Sequence, residues 1–244
     1  MSLWRRNRAF AVLESDRVTL VVKRGRSVVW QKSVMVAQTE DASPVAALKL
    51  LLADKLLGAS RLDIVVSDKY ARYLVFDTLS GVRGLAELSL LLAALFETRF
   101  GEGADDWKIV FDLPPGANSG VACALPRLLV EACLGAAKGV GVKKVSVMPF
   151  FVAATRAHLR GIDDRAWIAA RADGQVTLGN IRNGRWASLR TMAAMPDDEP
   201  VLLAARERLR LGIEEEGAHS ALGVGHWPGE SAQEYTVVLA GLET

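Results

Sequence analysis

The residues whose types and spacing could do chemistry are few. Leu13-Glu-Ser-Asp-Arg17 sets two carboxylates, Glu14 and Asp16, around the tip of a turn between β-prone runs. Together they could hold a divalent cation through water, because such cations take oxygen ligands. Asp173-Gly174 puts another carboxylate on a turn that does carry a glycine. A phosphate cradle needs backbone N–H groups to approach the oxyanion closely, and glycine permits this because it lacks Cβ. The first turn has no glycine. Two carboxylates without a cradle would repel a triphosphate, so by itself this turn reads as an acidic, exposed hairpin tip. Tyr70, Arg72 and Tyr73 place an arginine between aromatic rings, a composition enriched at protein–protein hot spots. On a strand the same residues would simply alternate between core and solvent.

Other reactive side chains have simpler readings. His158 falls on a helix and reads as a surface residue, while His219 and His226 lie in a glycine-rich interval without a second ligand beside them. The pairs Asp105-Asp106, Asp163-Asp164 and Asp197-Asp198 fall at element boundaries, where turns and helix N-caps use carboxylates. Cys123 and Cys133 are the only cysteines, and no metal-ligand spacing surrounds them. They read as small buried hydrophobes in a reducing compartment. Neither a G-x-x-x-x-G-K-[ST] loop nor a G-x-S-x-G elbow occurs. The residues alone predict no catalytic group and no metal centre.

The elements that would position these residues follow from turn signals. Asp173-Gly174 and Asn183-Gly184 favour tight hairpins, which predicts a meander of strands at 165–171, 175–182 and 185–190. The N-terminal runs 8–13, 18–23 and 27–37, broken at Ser15-Asp16 and Arg24-Gly25, predict a second meander. Ser43 and Pro44 mark a helix start running to about Leu57, followed by a buried strand at 61–67. Ser67-Asp68 reads as a turn and 70–76 as a strand. A helix at 85–100 and strands at 106–113 and 120–124 come next, then a helix at 126–138, a strand at 142–148 and a helix from Pro149 to Arg160. In the second half a helix is expected from about Asp197 to Glu215 and a final strand at 235–240. The interval 217–233, with four glycines and Pro228, reads as either a long functional loop or the remnant of a subdomain.

Composition sets outer bounds. The 244 residues are 50% hydrophobic and 24% charged, which fits a folded globular chain. A formal net charge of +2 does not point to a nucleic-acid partner. Basic residues are scattered apart from Arg5-Arg6-Asn7-Arg8, which reads as a solvated terminus or, alternatively, as a contact for anionic lipid or an acidic partner. The most apolar run, 85–96, is interrupted by Glu87 and is shorter than the roughly 20 residues that span a bilayer. With no apolar segment after the N-terminal charges, no secretory signal is expected, and the expected location is cytoplasmic.

Two successive units of βββαβα resemble the actin-like ATPase superfamily, whose two lobes are ribonuclease H-like. Several stretches resemble the branch that holds the pilus-assembly protein PilM and the cytoplasmic domain of the type II secretion L protein. They are Val65-Val-Ser-Asp-Lys-Tyr-Ala-Arg-Tyr-Leu-Val75, the turn before Ala122-Cys-Ala-Leu-Pro-Arg-Leu-Leu129, the segment 145–154, the meander at 167–190, and Val237-Val-Leu-Ala-Gly-Leu242. The resemblance implies an α/β fold of two lobes, each a mixed sheet with flanking helices. The first lobe would span 1–160, with a small α+β insertion at about 67–124, and a second, truncated lobe would span 161–244.

In that superfamily phosphates lie between two hairpin turns, with an acid for the metal and glycine or hydroxyl groups around it. Glu14, Asp16, Asp173 and Gly174 are the positions that such a site would use here. If Arg182-Asn-Gly184 aligns with the second turn, the expected acid falls near Ala170 and the glycine near Ala172, and Asp173-Gly174 is a plain hairpin. A slip of the alignment would give Asp173 the metal instead. Gly241 stands where a strand-plus-glycine element contacts adenosine, but the chain stops three residues later, where active members continue into a helix. The resemblance therefore implies a non-catalytic scaffold without a cofactor. Such a scaffold would bind a cytoplasmic segment of an inner-membrane assembly protein, with Tyr70, Arg72 and Tyr73 as partner-facing residues. The alternative is a nucleotide-binding ATPase or small-molecule kinase using Mg-ATP, and a third reading is a cleft for an unrelated small molecule.

Overall fold

The computed structural model describes residues 7–36, 43–54, 59–77, 82, 84–101, 103–114, 117, 119–158, 164–213, 220–225 and 227. The first sheet has five strands in the order β3-β2-β1-β4-β8. Strands β1 (Asn7–Leu13), β2 (Arg17–Arg24) and β3 (Ser27–Met35) are the antiparallel meander expected from their turn signals. β4 (Arg61–Val66) lies parallel to β1, and β8 (Lys144–Pro149) parallel to β4. The central strands read as continuous apolar runs because both of their faces are covered, as in β1, where Ala9 to Leu13 are all buried. β3 forms an edge, and only Trp30 and Val34 on it are partly buried.

Helix α1 (Pro44–Asp54) starts where its cap residues predict. The Ser43 hydroxyl oxygen accepts the Val45 N–H at 3.2 Å, and Pro44, which has no N–H to satisfy, opens the helix. Its buried face (Val45, Leu48, Leu51, Leu52) packs beside α3 (Arg127–Gly139) on the first sheet.

A second sheet of four strands, β11-β10-β9-β12, repeats the order of β3-β2-β1-β4. It contains β9 (Arg165–Ala172), β10 (Gln175–Arg182) and β11 (Arg185–Ala193) as an antiparallel meander. Both connecting turns take the mirror-image geometry that Asp-Gly and Asn-Gly permit, with φ of 50° and 68° at Asp173 and Gly174 and of 51° and 70° at Asn183 and Gly184. Helix α5 (Pro200–Arg210) follows, starting and ending inside the expected 197–215.

The strand that completes this unit is β12 (Ser220–Gly225), parallel to β9. It corrects the reading of 217–233 as a loop. Ser220-Ala-Leu-Gly-Val-Gly225 has weak strand propensity, but the edge of β9 supplies a full ladder of partners, and packing overrides propensity. Gly223 fits under Pro200, where a Cβ would come within 2.6 Å of the proline ring. The expected strand at 235–240 lies outside the described residues.

Between β4 and α3 the chain builds a three-stranded antiparallel sheet, β5-β7-β6, with one helix on it. Its elements are β5 (Arg72–Asp77), α2 (Gly84–Phe100), β6 (Trp107–Asp112) and β7 (Ser119–Pro126). Leu88, Leu92 and Phe96 of α2 meet Phe76, Trp107, Ala122 and Ala124 in a core of their own. Asp68–Tyr70, expected as a turn running into a strand, is one turn of 3-10 helix, and the strand begins at Arg72. Helix α4 (Phe150–His158) follows β8 directly. The main core runs without a break from the first sheet through Phe150, Phe151, Ala153 and Ala154 of α4 to Ile168, Ala170 and Ile181 of the second. That continuity holds the two lobes in register, and no helix among the described residues is long and apolar enough to cross a membrane.

Candidate functional site

The two acidic turns meet. Asp173, at the tip between β9 and β10, accepts the backbone N–H of Ser15 at 2.9 Å on one oxygen and the Ser15 hydroxyl at 2.6 Å on the other. These two bonds join the first hairpin of one lobe, between β1 and β2, to the first hairpin of the other, between β9 and β10. Ser15 is therefore held by a carboxylate 158 residues away. Glu14 is buried and ion-paired with Arg17 at 3.0 Å. Burial raises its carboxyl above the ordinary glutamate value; Arg17 opposes that rise, while Asp173 and Asp16 add to it. Asp16 is exposed, and its carbonyl accepts the Val36 N–H at 2.7 Å. Tyr70 is half-buried, and its phenol is pushed up by burial and then by the Asp173 carboxylate. Gly174 is exposed, its carbonyl accepting the Ala194 N–H at 2.9 Å, while Gly241, His219 and His226 lie outside the described residues.

A second constellation was not singled out by sequence reasoning. Asp68 is 2% exposed, where the inserted sheet, helix α4 and the second lobe come together. It accepts the Tyr73 hydroxyl at 2.5 Å, the Phe151 N–H in the first turn of α4 at 3.0 Å, and the Thr177 hydroxyl of β10 at 2.9 Å. The Thr191 hydroxyl lies 3.0 Å from that of Thr177 and continues the chain onto β11. Burial pushes the Asp68 carboxyl up to about 6, even though these three donors and the Phe150 N–H favour its charged form. Burial and the facing carboxylate likewise hold the Tyr73 phenol well above its ordinary value, keeping it a donor. The only sequence signal was the Ser67-Asp68 pair at the end of a buried strand. Ser67 does act locally, its hydroxyl oxygen accepting the Lys69 N–H at 3.2 Å, but nothing local marks Asp68 as buried.

Of the three residues read as an arginine between aromatics, Tyr73 is buried and engaged by Asp68, with its ring edge-on to Phe151 at 5.7 Å. Arg72 lies over the Trp107 ring at 5.4 Å and the Phe100 ring at 6.0 Å. It lines a cavity of about 390 Å³ between the inserted sheet and β11. A second hollow of about 520 Å³ lies between the far end of β5 and the β10–β11 turn, lined by Asp77, Arg182, Arg185 and Trp186 among others. Cys133 is fully buried and Cys123 half-buried, and burial raises both thiols to about 12, the behaviour of inert hydrophobes. Among the described residues no three His, Cys, Asp or Glu side chains converge on one point.

No family model and no curated protein matches the chain. Solved structures do resemble it. The cytoplasmic domain of EpsL, an inner-membrane component of the type II secretion system of Vibrio cholerae, superposes with a TM-score of 0.61 at 14% identity, over 97% of this chain and 94% of that one. A Bacteroides thetaiotaomicron protein of actin-like ATPase fold and unknown function also gives 0.61, at 12% identity over 96% and 88%. The PilM–PilN type IV pilus biogenesis complex gives 0.57, at 14% identity over 87% and 67%. The chain has the actin-like ATPase fold.

Proposed function

We propose that this actin-like chain is a non-catalytic scaffold of a type IV pilus or type II secretion-like assembly. In this reading it is cytoplasmic and binds a segment of an inner-membrane partner. The observation that carries the proposal is the closure of Asp173 on Ser15. The fold would seat phosphate between these two turns, yet the N–H and hydroxyl that would face it are already engaged by a carboxylate of the same chain. Glu14 and Asp16 add negative charge on either side of Ser15, and among the described residues the ion pair of Arg17 is with Glu14. A magnesium triphosphate would have to displace Asp173 and then sit against three carboxylates. These residues do not suit that group. The similar structures support the assembly side, one being a domain of an inner-membrane secretion component and another a complex with a second pilus protein. Arg72 and Tyr70, at the junction of the inserted sheet with the rest, are the partner-facing candidates that remain accessible.

Thermal unfolding with and without Mg-ATP tests this reading. The expected result is an unchanged midpoint. A nucleotide present at about 100 times its Kd would add roughly 2.7 kcal/mol of stability, a rise of several degrees. A rise of that size, with phosphate release on the same preparation, would overturn the scaffold reading in favour of an ATPase or kinase.

A further inference from the structure

The cavity between the inserted sheet and β11 has a charge pattern that the scaffold reading leaves unused. Four cations line it: Lys69 from the 3-10 turn, Arg72 from β5, Arg99 from α2 and Arg190 from β11. They come from three separate parts of the chain, so no local run of basic residues produces the cluster. The one lining carboxylate is Asp68, already engaged by three donors. Arg190 shares its charge with Glu207 at 3.0 Å, and the Arg72 guanidinium lies 5.4 Å from the centre of the Trp107 ring. Lys69 and Arg99 are exposed at the rim and make no ion pair among the described residues. The lining also includes the apolar Ala71, Phe100 and Leu189, beside Tyr73, Gln175 and Thr191.

Like charges converge at a cost unless something of opposite sign visits them. A lining that mixes cations with apolar side chains fits side chains of both kinds borne on one strand of peptide better than it fits a bare inorganic anion. The volume of about 390 Å³ accommodates a few side chains. We infer that this cleft takes a short acidic segment of a protein partner, with carboxylates on Lys69, Arg72, Arg99 and Arg190 and an apolar side chain on Phe100 and Leu189. The inference rests on the scaffold reading, since it names the chemistry of the partner segment.

A fluorescein-labelled peptide of alternating Glu and Leu, titrated into the protein by anisotropy, tests it beside the same peptide with Gln for Glu. The Glu peptide is expected to bind about tenfold more tightly or better, with the advantage fading as salt rises. Lys69→Glu combined with Arg99→Glu should remove that preference. Both side chains are exposed and make no ion pair among the described residues, so the variant keeps its fold, which circular dichroism verifies. Equal binding of the two peptides, no binding at millimolar concentration, or a preference untouched by the charge reversal would overturn the inference. So would binding of inorganic pyrophosphate at these same residues when the Glu peptide fails, which would make the occupant a small anion. ATP turnover on the same preparation separates the two proposals. A chain that hydrolyses ATP yet prefers the Glu peptide sinks the scaffold reading alone, and an inert chain that ignores the peptide sinks this one alone.

Discussion

Replacing Asp68 by Asn should flatten part of the pH dependence of folding, in a direction the burial of Asp68 dictates. Its carboxyl titrates near 6 in the folded protein, against an ordinary value of 3.8. Because the folded value is the higher one, folding takes up a proton between the two. The contribution to stability is then full below 3.8 and is lost as pH rises through about 6. The ceiling is roughly 3 kcal/mol, from about 2.2 units at 1.36 kcal/mol each. Between about pH 7.5 and about pH 5 the same linkage gives wild type a gain of roughly 1.4 kcal/mol from this residue. Every other titrating group is common to both proteins, so the gain stands alone in the difference between wild type and Asp68→Asn. Chemical denaturation at both pH values measures it, provided the slope with denaturant is the same in the two proteins. Asn keeps an acceptor for Tyr73 or Thr177 but cannot receive all three donors, so the variant is expected to be less stable at both pH values. The test lies in the change of that deficit, which should widen in acid. A deficit that is constant, or that narrows in acid, would refute the picture of Asp68 as a carboxylate held against its burial.

Further outcomes follow from the other polar contacts. Ser15→Ala and Asp173→Ala should each destabilise, and a double-mutant cycle by denaturation should give a coupling of about 1–2 kcal/mol, the share of the hydroxyl bond alone, because the backbone N–H at position 15 is kept in the serine variant; additive effects would mean that the serine hydroxyl does not hold the second turn in solution. Glu207 has the opposite sign from Asp68. Burial works against its charge, but hydrogen bonds from Arg210 and Arg190 prevail and hold its carboxyl below 4.5. Its contribution is present above 4.5 and lost as pH falls through the folded value, so the stability gap between wild type and Glu207→Gln should close in acid. A gap that persists there would mean that packing, not charge, sets the effect of the substitution.

Much of the fold was legible because its signals are local. Asp173-Gly174 and Asn183-Gly184 turn tightly since those residue types accept positive φ, and Ser43 and Pro44 start a helix through their own backbone chemistry. Runs such as 9–13 and 62–66 announce strands covered on both faces by being apolar throughout. Two meanders of this kind suffice to suggest two related lobes. The strand Ser220–Gly225 was not legible, because its glycines argue for a loop and its reason to be extended is the edge of β9.

The candidate site divides in the same way. The sequence alone determined that Glu14, Asp16 and Asp173 stand at hairpin tips and that a phosphate-type glycine is missing from the first turn. Only tertiary structure decided what those tips meet, since Ser15 and Asp173 are 158 residues apart and hydrogen-bond geometry is set by the packing of two lobes. Asp68 makes the point most sharply. In sequence it is one more polar residue after a strand, yet donors 83 and 109 residues further along surround it, and its chemistry comes from a burial that no local pattern records.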